Sequence, residues 1–242
     1  MHHFKALSCV LAVIVQPIAV ACGDDLVIPP VTYPQLAKQA AAPDGFVPPG
    51  WRLEQSRRGD LNGDGIADLV LVLRQDDPVN ILTNSGLGEK RFNTNPRILA
   101  LALGKAGGGF DLALQNHNLI PRRDAPTLED PLGDNAVTVA RGVVKVRLGM
   151  FSSAGSWELS STTYTLRYQG GSLRVIGYDR DTTMRNSGQT SGISINYLTG
   201  RVQRTTGRID TDTVVKRNSM LRDRSPLTID RVGDGLAFEP AT

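Results

Sequence analysis

The residues best suited to chemistry lie in one short run, Asp60-Leu61-Asn62-Gly63-Asp64-Gly65-Ile66-Ala67-Asp68. Oxygen-bearing side chains occupy its first, third and fifth positions, and a carboxylate returns at the ninth. A chain wrapping a sphere turns alternate side chains inward, and a hard cation such as Ca²⁺ takes about six to eight oxygens at about 2.3–2.6 Å. Asp60, Asn62, Asp64 and Asp68 offer such oxygens from side chains, and the Ile66 carbonyl offers a neutral one. Three carboxylates and an amide suit Ca²⁺ better than Zn²⁺, which prefers nitrogen and sulfur. Leu71 stands where an EF-hand needs its closing glutamate, so the loop feeds a strand rather than a second helix. A metal-free alternative stays open, in which the Asx residues hold the turn by bonding their own backbone.

Other constellations are weaker. Lys105-Ala106-Gly107-Gly108-Gly109 has the glycines of a phosphate loop, but Phe110 to Leu114 after it reads as a strand, so a glycine-rich hairpin is expected. His117 with Asp111 and a serine has the membership of a catalytic triad, yet no Gly-x-Ser-x-Gly elbow exists, and His117 between two asparagines reads as a loop residue. Glu129, Asp130 and Asp134 offer carboxylates for glycoside chemistry, or a solvated loop punctuated by Pro126, Pro131 and Gly133. Trp157 is read either as a core aromatic at a strand start or as an exposed binding platform. Between Arg201 and Arg224 there are seven basic residues, Arg201, Arg204, Arg208, Lys216, Arg217, Arg222 and Arg224, against three acids. Without interleaved aromatics this reads as a solvated face, with anionic envelope polymers or headgroups as the other reading.

Export comes before architecture, because it changes the chain to be folded. Residues 1–21 carry a short basic start with Lys5, an apolar run from Ala6 to Val15, a break at Pro17 and small residues at Ala19-Val20-Ala21. That is the pattern of a bacterial-type signal peptide, and the run is too short for a bilayer-spanning helix of about 20 residues. Cleavage after Ala21 leaves Cys22 first. Ile18-Ala19-Val20-Ala21-Cys22 resembles a lipobox, which implies lipidation of Cys22; plain secretion with a free thiol is the alternative. His117 is then the only histidine left, which excludes every multi-histidine metal site.

The chain has 242 residues, 40% of them apolar and 21% charged, enough for a buried core. This excludes a disordered chain and a coiled coil, and two cysteines exclude a disulfide-stapled miniprotein. A net charge of +3 is too small to argue for nucleic acid. Residues 22–50, with six prolines, read as a tether or loosely packed lead-in, with a short helix expected over Tyr33 to Ala42. From Trp51 the signals are β. Leu69 to Leu73 and Ile98 to Leu103 are continuous apolar runs, as in strands covered on both faces. Tyr164, Leu166 and Tyr168 alternate with polar residues, as do Ile193, Ile195 and Tyr197. Turns are expected at Arg141-Gly142, Gln169-Gly170-Gly171 and Thr199-Gly200. The expected fold of 51–242 is a single mainly-β domain, an antiparallel meander or sandwich with one or two short helices at most.

The 60–68 run resembles the calcium loops of FG-GAP and VCBS repeats of integrin-type propellers, where the pattern precedes a strand. The resemblance implies Asp60, Asn62, Asp64, the Ile66 carbonyl and Asp68 as ligands. Those families carry several copies and this chain carries one, so a closed propeller is not implied. Gly59-Asp60-Leu61-Asn62, Gly155-Ser156-Trp157-Glu158, Ile176-Gly177-Tyr178-Asp179 and Ser194-Ile195-Asn196-Tyr197-Leu198-Thr199-Gly200 look like a group of uncharacterised bacterial exported proteins and lipoproteins, which implies a shared fold and no known activity. The expected function is a lipid-anchored periplasmic or outer-membrane binding module with a structural Ca²⁺ loop, meeting an envelope protein or polymer and no nucleic acid. The alternative is an envelope polysaccharide or peptidoglycan hydrolase using the loop carboxylates.

Overall fold

A computed structural model describes residues 26–242; the expected signal peptide and Cys22 lie outside the described residues. The fold begins from the two continuous apolar runs. They form β3 (Asp68–Gln75) and β6 (Arg97–Gly104), which pair with each other at the middle of a five-stranded antiparallel sheet. β2 (Trp51–Gly59) flanks β3, β7 (Phe110–Asn116) flanks β6, and the two-residue β1 (Gln39–Ala40) adds to β7. Every residue of β3 but the last is buried, because both faces of this sheet are covered.

One face carries Val70, Val72, Leu99 and Leu101 into a core shared with a second sheet. That sheet is a seven-stranded meander: β8 (Val137–Ala140), β9 (Val143–Phe151), β10 (Glu158–Gln169), β11 (Ser172–Met184), β12 (Gln189–Asn196), β13 (Arg201–Arg208) and β14 (Val215–Met220) lie side by side in chain order. β4 (Ile81–Thr83) and β5 (Arg91–Asn93) form a separate small hairpin. The architecture is the mainly-β antiparallel fold expected, and neither sheet closes on itself. Two turns illustrate why the meander forms. Arg141 and Gly142 both have positive φ (52° and 71°), as do Gly170 and Gly171 (61° and 76°), which matches the two-residue turns that agree with strand twist.

The other face of the five-stranded sheet meets the lead-in. Leu36 and Phe46 bury themselves against Leu69, Leu71, Leu73, Ile98 and Ala100. The tether expected over 22–50 is therefore packed structure across its described part, and the helix expected over Tyr33 to Ala42 does not form. Bonds to β7 replace it: the Leu36 N–H donates to the Gln115 side-chain Oε1 at 2.9 Å and the Leu112 N–H to the Lys38 carbonyl at 2.8 Å. Helical content among the described residues is three short 3₁₀ turns, at Pro43–Phe46, Pro78–Asn80 and Ile229–Arg231. No helix among them is long and apolar enough to cross a membrane. Beyond β14 the tail returns to the shared core through Leu221, Ile229 and Val232, and the Tyr164 hydroxyl donates to the Gly235 carbonyl at 2.7 Å.

Candidate functional site

The 60–68 loop joins β2 to β3, as its place before an apolar run requires. Its first seven residues form a lobe built on side chain-to-backbone bonds. Asp60 accepts from the N–H groups of Gly63 (2.7 Å) and Gly65 (2.9 Å), Asn62 from Asp64 (3.1 Å), and Asp64 from Ile66 (2.8 Å). The Asn62 amide also donates to Asp64 Oδ2 at 2.8 Å. Gly63 and Gly65 have φ of 86° and 81°, which is why glycine stands at both positions. Asp68 is different. It is fully buried, and its two oxygens accept from the Leu61 N–H (2.8 Å) and the Gly104 N–H (2.9 Å). Asp68 thus ties both ends of the loop to the last residue of β6.

Against a calcium site, the donor set divides. The side chains of Asp60, Asn62 and Asp64 belong to the lobe, and their oxygens can hold a cation on lone pairs that the N–H groups leave free. Asp68 lies fully buried with its oxygens turned to the backbone of Leu61 and Gly104, apart from the exposed lobe, and no group of three His, Cys, Asp or Glu gathers for a metal among the described residues. The lobe offers a partial oxygen set, with Asp68 as its anchor.

The carboxylates of the 124–134 loop go to three places. Asp130 enters an ion cluster with Glu54 of β2, Arg74 of β3 and Arg97 of β6. Arg97 reaches Glu54 at 2.5 Å and Asp130 at 2.8 Å, and Arg74 reaches them at 3.3 and 3.1 Å. The Arg97 side chain is 4% exposed, so the cluster is largely desolvated. Burial raises the Asp130 pKa, but hydrogen bonds and charge from Arg97, the Leu132 N–H and Arg74 outweigh it and hold the carboxyl below the usual range. A carboxylate so held has no proton to give at neutral pH, so Asp130 does not serve as a general acid. Asp134 lines a groove, and Glu129 lines a separate cleft of about 280 Å³ together with Asp124 and Asp234.

The groove, about 700 Å³, lies on the face of the seven-stranded sheet turned away from the core. Its floor is Arg147, Gly149, Leu159, Ser161, Asp181 and Thr183, and its wall is the 130–136 loop. The wall is pinned from behind: Asp130 by its two arginines, Asn135 and the Val137 carbonyl by Arg57 at 3.1 and 2.9 Å. Within the floor Arg147 donates to the Ser161 hydroxyl at 2.8 Å. Nothing stands within 4 Å of where a Cβ at Gly149 would project, so the floor is open there. Leu159 is 44% exposed, and Trp157, just before β10, is 59% exposed. The platform reading of Trp157 is the one that matches this exposure. The Arg185 guanidinium lies 4.5 Å from the Phe151 ring and 5.7 Å from the Trp157 ring, and donates to the carbonyls of Ser152 and Ser156. It braces the indole beside the groove.

Sequence reading missed Arg147, Ser161, Asp181 and Thr183. The signal was present in β11, where Tyr178 faces the core: a period of two then turns Asp179, Asp181 and Thr183 outward. His117 stacks on Tyr33 of the lead-in with ring centroids 4.2 Å apart, and Asp111 pairs with Lys105 at 3.0 Å. The 105–109 glycines join β6 to β7 as a hairpin. Comparison of the chain with known protein families, with curated proteins and with solved structures found no match.

Proposed function

We propose that the chain is an exported, lipid-anchored envelope protein that acts as a non-enzymatic binding module, with the outer groove of β9–β11 as its site and a polar envelope polymer as its ligand. The observation that carries this reading is a groove whose floor mixes Asp181, Ser161, Thr183 and Arg147 with Leu159, and the exposed, braced Trp157 two residues before Leu159 in the chain. Sugar rings present hydroxyls to such acids, alcohols and guanidinia, and their C–H faces to an aromatic. The pinned wall supports the reading, because a preformed groove loses little entropy on binding.

The chain has two tryptophans, Trp51 and Trp157, so Trp51→Phe leaves Trp157 as the reporter. Soluble peptidoglycan and envelope-polysaccharide fragments titrated into that protein should shift the Trp157 emission, and Asp181→Ala should weaken the response. Silence of Trp157 toward both fragment classes would sink the groove as the site. Appearance of new reducing ends in the same mixture would place the chain among hydrolases instead.

The proposal includes Ca²⁺ as a structural ion in the 60–68 lobe, held by Asp60, Asn62, Asp64 and the Ile66 carbonyl with Asp68 anchoring the loop. Support comes from the two carboxylates of Asp60 and Asp64 on one short lobe, whose repulsion a cation would relieve. Calcium at about ten times Kd should then stabilise the fold by about 1.4 kcal/mol, a shift of a few degrees in melting temperature. Asp64→Ala should abolish the shift and Asp134→Ala should leave it. A melting curve indifferent to calcium and chelator would reduce the lobe to an Asx turn.

A further inference from the structure

β14 is the free edge of the seven-stranded sheet, and all six of its residues are exposed. Its pairing with β13 sets Arg204 directly opposite Arg217. Facing residues of an antiparallel pair share a side of the sheet, so like charges oppose each other across the strands, which weakens pairing; the Arg204 guanidinium also donates to the Thr242 hydroxyl. Six cations border this edge: Arg201, Arg204, Lys216, Arg217, Arg222 and Arg224, all exposed. Among the described residues none of the six forms an ion pair; Arg208 alone of the cluster does, taking Asp210 at 2.7 Å. Asp212 and Asp223 are the acids left against the six.

Charges on an edge strand have a simpler purpose, which is to stop another chain from pairing there. That purpose does not account for their neighbours. Val214, Val215 and Met220 are each just over half exposed, and Ile209 in the preceding turn is 67% exposed. A guard against aggregation would keep apolar side chains away from the edge. Cations set beside bare aliphatic side chains are instead the chemistry of a surface that lies on anionic lipid, where headgroups meet the charges and the acyl boundary takes the aliphatic groups. Lys216 belongs to one face of β14 and Arg217 to the other. Only a partner met edge-on is reached by both, and a flat one satisfies that geometry.

We propose that the β14 edge is a membrane-docking surface for anionic phospholipid headgroups, separate from the groove and from any acyl anchor. It rests on the envelope reading only in that such a surface is met there.

The test uses the full chain carrying Cys22→Ser, so that no acyl chain contributes, and vesicles of phosphatidylcholine with or without phosphatidylglycerol. Binding is expected only when phosphatidylglycerol is present, and it should fall steeply with salt. Lys216→Gln and Arg217→Gln should each lower vesicle affinity about fivefold, and about 25-fold together. Val214→Ser with Val215→Ser should weaken binding at high salt as well. Lys90→Gln, on the loop between β4 and β5, should change nothing, and melting curves should match throughout because every substituted residue is exposed. Equal binding to both vesicle types, or none, overturns the proposal. So does capture of inorganic polyphosphate without capture of vesicles, which would make the edge a site for soluble polyanions. A Trp157→Ala chain should lose polymer fragments yet keep vesicles, which separates the two readings, and loss of vesicle binding in that variant would overturn the edge assignment.

Discussion

β3 and β14 are strands of similar length in one molecule and share almost no physics. β3 reads Asp-Leu-Val-Leu-Val-Leu-Arg-Gln and is buried on both faces, between the lead-in on one side and the second sheet on the other. β14 reads Val-Lys-Arg-Asn-Ser-Met and is covered on neither. The charged groups buried near β3 are ion-paired or hydrogen-bonded, as in the Glu54, Arg74, Arg97 and Asp130 cluster and in Asp68, with the Arg74 Nε alone of the cluster left without a partner. Around β14, cations and aliphatic side chains stand exposed, and among the described residues Arg208 alone of these cations is ion-paired. The first strand organises a core and the second faces outward, and substitutions should separate the two by energy.

The largest effects belong on the β3 side. Arg97→Met leaves the two carboxylates to Arg74 and to Arg52, which reaches Glu54 at 3.8 Å, and should cost about 3–5 kcal/mol in denaturant unfolding. Leu71→Ala should cost about 2–5 kcal/mol, since neither covering layer can collapse freely into the space. Asp68→Asn puts an amide where two N–H donors converge, so one donor loses its acceptor; about 1–3 kcal/mol should be lost, with or without calcium. If Asp68→Asn were harmless in chelator, the anchor role assigned to it would fail.

Acid should expose the same asymmetry. The Asp130 pKa is lowered in the fold, against burial, by Arg97 above all. Its contribution is therefore complete above the ordinary carboxylate range near about pH 4 and is lost as pH falls through the lower folded value. Asp130→Asn should be less stable at neutral pH and flatten the acid limb of the stability curve. An unchanged acid limb would mean the cluster does not set it. The smallest effect is expected at the edge: Val215→Ala should stay within about 0.5 kcal/mol. A loss there as large as at Leu71 would dissolve the contrast.

The contrast also marks how much was legible in the sequence. Leu69 to Leu73 and Ile98 to Leu103 announced central strands, because burial on two faces leaves an uninterrupted apolar run. Tyr164, Leu166 and Tyr168 announced a strand with one wet face. β14 announced nothing, since a strand without a core side has no periodicity to read. The lead-in was misjudged for a related reason: its cover rests on isolated anchors, Leu36 and Phe46, set among prolines that suggest a tether. In the candidate site, the Asx lobe was visible as a motif, while the anchoring role of Asp68 depends on Gly104, far along the chain. The pinned groove wall was beyond local reading, because its four ionic members come from four separate segments.

The tail contact between Tyr164 and Gly235 bears on when this chain can fold. The first core needs Leu36 and Phe46 from near one end of the described chain, and the second needs Ile229 and Val232 from near the other. A chain synthesised through β7 already holds the whole first core but lacks Ile229 and Val232 of the second, and pairings this distant in sequence form slowly, on the order of milliseconds to seconds. The shared core would stay open until the segment carrying Ile229 and Val232 emerges. Were the chain exported as proposed, that delay would keep its shared core in a state that can be threaded.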